Sequence, residues 1–169
     1  MVVIRANYRS KIITGILYLL LIIAFFATHG AAYSDYYALY VQALTNSPGD
    51  NVANYLGNLP KAPQTSPNMS KIYIQAAGTI DRTSIYDYSG TAGSNEAYSY
   101  YLRKNNSTDY LIGTLSVNAN ERIFTNYSMN VPVSAGDFLE IKRVHPTWVT
   151  NPLTNIVGGY LLVNSSQHG

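Results

Sequence analysis

Two kinds of apolar spacing divide the chain. From Ile12 to Ala32 the residues read Ile-Ile-Thr-Gly-Ile-Leu-Tyr-Leu-Leu-Leu-Ile-Ile-Ala-Phe-Phe-Ala-Thr-His-Gly-Ala-Ala, with no charged side chain among them. As a helix this run rises about 31 Å at ~1.5 Å per residue, the thickness of one hydrocarbon core. Beyond it, Tyr33 to Leu44 keeps residues compatible with a continuing helix, which should stop near Thr45 because Asn46-Ser47-Pro48-Gly49-Asp50 is a dense breaker cluster. Residues 47–70, with Gly57, Pro60, Pro63 and Pro67 amid small polar residues, predict a semi-extended linker. Val52, Tyr55, Leu56 and Leu59 suit a short helical turn inside it.

From Lys71 the apolar period becomes two, the spacing of half-buried strands. Ile72, Ile74 and Ala76 alternate with Tyr73, Gln75 and Ala77, and Gly78 and Asp81-Arg82 interrupt them. A short strand is expected at Ser84 to Tyr88. Tyr98, Tyr100 and Leu102 share one face of the next strand, and Lys104-Asn105-Asn106-Ser107 turns it back. Leu111, Leu115 and Val117 then occupy one face, Tyr110 and Ile112 the other. Ile123, Tyr127, Met129, Val131 and Val133 keep alternation, Ser134-Ala135-Gly136-Asp137 closes that strand, and Leu139 and Ile141 point inward with Glu140 and Lys142 outward. The last strand, Ile156 to Val163, carries Gly158-Gly159, where a bulge or close backbone approach is expected. Six to eight short strands without crossover helices predict a mainly β fold over residues 71–163: an antiparallel jelly-roll sandwich behind an N-terminal transmembrane helix, with a polar tail at 164–169.

Charge adds an orientation. Arg5, Arg9 and Lys11 precede the apolar run, and no Lys or Arg follows it until Lys61, so the N-terminus is kept inside and the β domain outside. Ile12, Leu17, Leu20, Ile23, Phe25 and Phe26 are the anchor residues in contact with lipid, and Tyr33, Tyr36, Tyr37 and Tyr40 suit the outer interface. A removable secretory signal fits the same basic, apolar and small-residue sequence. The net charge of +2 is supplied by the N-terminal basic residues, so it marks topology and offers nothing to nucleic acid. With no cysteine, a disulfide framework and a thiolate metal site are both excluded.

Only 12% of residues are charged, against 16 tyrosines and abundant Asn, Ser and Thr, so the outer surface should be polar but uncharged. Tyrosines of this kind fill small cores or make contact surfaces, where rigid amphipathic rings bind at low entropic cost. Asn68, Asn105, Asn106, Asn126 and Asn164 stand in Asn-x-Ser/Thr triplets and are candidate glycosylation sites, whereas Asn151 is blocked by Pro152. Catalytic signals are sparse. His145 reads as a packed loop histidine, Asp137 as a turn residue, and Ser128 and Ser134 have no histidine placed near them in sequence. Asp81, Asp87 and Asn95 lack the spacing of a calcium loop. No cofactor, metal site or enzymatic activity is expected.

Val131-Pro132-Val133-Ser134-Ala135-Gly136-Asp137-Phe138-Leu139-Glu140-Ile141, with Leu102-Arg103-Lys104-Asn105 before it and Thr147-Trp148-Val149-Thr150-Asn151-Pro152 after it, resembles the trimeric jelly-roll domains of virus and phage fibres and spikes. Those domains are similar to the complement globular-head and tumour-necrosis-factor fold. The resemblance implies a homotrimer with a display role, and it makes Gly136, Asp137 and Trp148 candidates for turn and subunit contact. Together with the anchor it points to a structural spike, vertex or surface-display protein on a virion membrane or cell surface. Its partners would be the bilayer and other assembly proteins. Two other functions are weighed: a pilin-like filament subunit, because Lys11 to Ile16 is similar to archaeal pilin N-termini, and a secreted or anchored hydrolase.

Overall fold

The computed structural model describes residues 35–45, 49–58, 65–90, 96–116, 120–153 and 155–165. The expected transmembrane segment, including Ile12, Leu17, Leu20, Ile23, Phe25 and Phe26, lies outside them. Among the described residues no helix is long and apolar enough to cross a membrane.

Among the described residues ten strands build two antiparallel sheets. They are β1 (Asp35–Thr45), β2 (Ala53–Leu56), β3 (Ile72–Tyr73), β4 (Gly78–Ser89), β5 (Ala97–Lys104), β6 (Thr108–Ser116), β7 (Glu121–Asn126), β8 (Val131–Val133), β9 (Phe138–Val144) and β10 (Asn155–Ser165). The first sheet runs β1-β10-β4-β7, and β8 pairs with the start of β4 in the lane that β7 occupies further along. The second runs β2-β9-β5-β6, and β3 pairs with β9 in the lane of β2. At one side the sheets approach each other where the Asn126 amide donates to the Leu111 carbonyl at 3.0 Å. At the other, the Gln42 N–H donates to the Gly57 carbonyl at 3.0 Å.

Alternation drives this packing. Val41, Ile80, Ile85, Tyr100, Leu102, Phe124, Leu139, Ile141 and Leu161 fill the space between the sheets, none more than 1% exposed. The expected inward face of Tyr98, Tyr100 and Leu102 is found, as is the opposition of exposed Leu111 and Leu115 to buried Ile112. The mainly β, antiparallel architecture is therefore as the apolar period predicts. Gly159 needs its missing side chain, because a Cβ there would collide with the Ser84 carbonyl of the neighbouring β4. The register shift between β10 and β4 falls later, at Leu162/Val163, where β4 carries Asp81 as an extra residue.

Several expectations are corrected. Residues 35–45 are not a helical extension: they form the eleven-residue β1, paired with β10 from Asp35↔Ser165 to Thr45↔Asn155. Ala, Leu and Gln are good helix formers, but a full-length partner strand and an inward row ending in Val41 and Ala43 outweigh local preference. The linker at 47–70 contains β2 in place of the expected helical turn, and its one described helical piece is the single 3-10 turn Pro67–Met69. The sandwich thus includes β1 and β2, both ahead of residue 71. Asp81-Arg82 does not end a strand; both lie within β4. Ile123 does not share the face of Val131. Between the pairs Thr83↔Asn126 and Ile80↔Val131 the β7/β8 lane advances five residues where β4 advances three and β10, from Leu161 to Val163, only two; that excess of three over the regular strand is odd, so it switches the chain's face. Ile123 is 60% exposed, and Phe124 takes the core position.

Candidate functional site

Two regions hold the unusual side chains. The first lies between the sheets. Asp87 on β4 has no solvent exposure, and its Oδ2 accepts hydrogen bonds from the hydroxyls of Tyr98 at 2.8 Å and Tyr100 at 2.7 Å, both from β5 of the opposite sheet. Arg122 on β7 approaches Asp87 Oδ1 at 3.4 Å, and Arg143 on β9 approaches Oδ2 at 3.6 Å. Arg122 also donates from Nε to the Tyr98 hydroxyl at 2.6 Å and from Nη2 to Ser89 Oγ at 2.5 Å. Ser89 in turn donates to Asn155 Oδ1 at 3.0 Å. Burial, with the Asp87 charge beside both rings, pushes the two tyrosine hydroxyls well above their ordinary pKa, so they act as donors and not as bases.

Chemically this cluster binds sheet to sheet. One carboxylate faces two guanidinium groups, and every member is at least 95% buried. The rings of His145 and Trp148 close it over: Tyr98 lies 6.3 Å from His145 and 5.8 Å from Trp148, centroid to centroid. Trp148 donates from Nε1 to the Gly49 carbonyl at 2.8 Å. At 8% exposure the Trp148 ring covers the core from this side. His145 is buried, as a packed loop histidine should be, while Ser134 sits in an exposed turn and Ser128 in an exposed segment. Asp87 is committed to tyrosines and arginines and is not available to a calcium ion; Asn95 lies outside the described residues. Among the described residues no three His, Asp or Glu side chains gather as metal ligands do.

The turn residues are joined to the early motif. Gly136 takes φ +89°, and Asp137 Oδ2 accepts the Ser134 N–H at 2.8 Å, closing the turn. Asn105 spans the gap: its Nδ2 donates to Asp137 Oδ1 at 2.7 Å, and its Oδ1 accepts the Phe138 N–H at 3.0 Å. Lys104 pairs with Asp137 at 2.9 Å. Held first by Asn105, then by Lys104 and the Ser134 N–H, the Asp137 carboxyl is lowered to about 2. Leu-Arg-Lys-Asn and Val-Ser-Ala-Gly-Asp are therefore two halves of one hydrogen-bonded corner. Asn105 and Asn126 are both tied into such backbone contacts, Asn106 lies 3.2 Å from Asn68, Asn164 donates to the Tyr36 hydroxyl, and Asn68 is exposed.

Glu140 departs from its expected outward exposure. It points away from the core yet is fully buried on the outer face of the second sheet; with its amide nitrogen turned toward Glu140, Asn106 donates to the carboxylate at 2.8 Å. Burial, opposed by Arg103 and Lys71, raises it to about 7.

The second region is the outer face of the first sheet, which the strand register resolves into rows. Tyr40, Tyr160, Ser84 and Thr125 form one row; Gln42, Gly158, Tyr86 and Ile123 form the next. Neither row carries a charge. Tyr40 is 65% exposed, and Tyr86, Tyr160, Ile123 and Ile156 are also open to solvent. Alternation makes these tyrosines visible in sequence, but their side of the sheet depended on finding β1.

No family model matches the chain, and no curated protein matches it. Among solved structures it is similar to FLHE, with 12% identity and a TM-score of 0.41 over 79% of this chain and 100% of that one. It is also similar to dimeric latent PorU from Porphyromonas gingivalis, with 13% identity and a TM-score of 0.38 over 80% of this chain. The match spans 13% of the PorU chain. Neither likeness assigns a role to the sandwich.

Proposed function

We propose that this chain is a non-catalytic display protein: a jelly-roll head, tethered N-terminus inside by residues 12–32, that assembles as a homotrimer on a virion membrane or cell surface. The outer face of the first sheet carries this reading. An area built from Tyr40, Tyr86, Tyr160, Ile123 and Ile156, with the charged Glu121 beside Tyr86 at its margin, has the chemistry of a protein contact surface, with large apolar bodies and hydroxyl rims. Strand order supports the jelly roll. Taking β2/β3 and β7/β8 as single lanes leaves eight, arranged 1-10-4-7 and 2-9-5-6, which is the order two Greek keys produce. The described titratable cluster, sealed between the sheets, supports contact over catalysis.

Mass measurement of the full chain in detergent tests this directly. Copies in multiples of three are expected, and Tyr86→Lys combined with Ile123→Lys should dissociate the trimer, since like charges would then meet in the contact. A strictly monomeric chain, or helical filaments in electron micrographs, would remove the trimer.

A further inference from the structure

Each lane at the margin of a sheet leaves backbone groups unpaired, and three of the four margins are visibly interrupted. The β2/β3 lane is broken between Leu56 and Ile72. The β7/β8 lane carries the extra residues at 127–130 and then Pro132. The β6 margin is bulged opposite Tyr100/Tyr101 and meets the other sheet through Leu111. Such interruptions are how proteins prevent margins from pairing with other chains.

β1 has none of them. Its eleven residues, Asp-Tyr-Tyr-Ala-Leu-Tyr-Val-Gln-Ala-Leu-Thr, keep one register with β10, without a bulge, a proline or a lysine. The Gln42 N–H points away from β10 to reach Gly57. Since backbone direction alternates along a strand, the N–H and C=O groups of Tyr40, Ala38 and Tyr36 point the same way. Among the described residues nothing pairs with those three.

We infer that the β1 margin is a self-pairing site, at which β1 of a second copy adds antiparallel about a two-fold axis through Ala38. The open groups decide the register. Gln42 is taken, so the stretch from Tyr36 to Tyr40 is centred on Ala38. An axis there sets Tyr36 opposite Tyr40 of the second copy twice over, Tyr37 opposite Leu39, and the small Ala38 opposite itself. The strand's one charge also fits: Asp35 falls opposite Val41, not opposite its own mate, so no like charges meet. Ala38 to Ala38 becomes a pair exchanging both hydrogen bonds, with Cα atoms ~5.5 Å apart. This contact is a closed, isologous one, separate from the Tyr86–Ile123 face and independent of the membrane tether.

The absence of native cysteine makes the test clean. In the full chain in detergent, Ala38→Cys should give a disulfide-linked dimer under mild oxidation, because the Cα separation lies within the ~4.4–6.8 Å range such bonds require. Tyr40→Cys should not, since its symmetry mates would lie roughly 14 Å apart, four residues at ~3.4 Å each. Ala38→Pro, whose lost N–H points away from β10, should leave the melting temperature nearly unchanged and abolish the pairing, read as trapping through Tyr36→Cys mixed with Tyr40→Cys. Equal linking at 38 and 40 would mean random collision and overturn the proposal. So would an Ala38→Cys chain that melts like the native protein yet stays unlinked, whether its thiol is freely reactive or is shielded by another segment. Three copies by mass without a link through position 38 would sink the pairing and leave the trimer standing.

Discussion

The inside of the sandwich and the outer face of its first sheet invert the usual distribution of charge. Between the sheets lie Asp87, Arg122 and Arg143, whereas the two central rows outside, Tyr40 to Thr125 and Gln42 to Ile123, carry no charge and Arg82 and Glu121 stand only in the rows beside them. The contrast separates two jobs. Inside, ionised groups are costly to desolvate, so they persist where hydrogen bonds from Tyr98 and Tyr100 fix how one sheet sits on the other. Outside, charge would have to be stripped of water in any contact, and tyrosine supplies area without that cost.

The comparison breaks most sharply at Asp87. Asp87→Ala leaves two guanidinium groups buried without their carboxylate and should destabilise the fold by about 3–5 kcal/mol in urea titration. Arg143→Met removes the excess cation, whose Nε and Nη2 have no partner among the described residues, and should cost clearly less. Equal losses would show that the cluster is not limited by its carboxylate.

Glu140 sharpens the contrast through pH. Its folded value, about 7, lies above the ordinary 4.5, so the fold favours the protonated form. That contribution is complete below about pH 4.5 and disappears as pH rises to about 7. Asp137, lowered to about 2, acts oppositely, and its contribution is lost as pH falls from about 4 to about 2. Melting temperature should therefore decline from pH 4.5 to pH 7, and Glu140→Gln should flatten that slope while leaving the acid limb below pH 4. The smallest stability effect is expected outside: Tyr86→Ser should shift unfolding by no more than about 0.5 kcal/mol. A loss as large as that of Asp87→Ala would show that the face supports the fold rather than serving contact.

Much of this was legible beforehand because period-two alternation is a local property. It located the inward Tyr98, Tyr100 and Leu102, the turn at Gly136-Asp137, and the close approach at Gly159. It misjudged residues where alternation is shared with another cause. Ile123 matched the spacing of Val131 until an odd number of extra residues, three relative to β10, changed the face, and Glu140 alternated outward correctly but was buried on that side too.

What the amino-acid order determined by itself is the chemistry available: strands of alternating burial, a wealth of tyrosine, no thiols, and an apolar run at 12–32. Only tertiary structure decided that residues 35–45 are a strand, that Asp87 faces two arginines from different sheets, and that the Leu-Arg-Lys-Asn turn holds Asp137. The reason is physical. Each of these depends on a partner distant in sequence, and the free energy of an antiparallel ladder or a buried ion pair belongs to both partners at once.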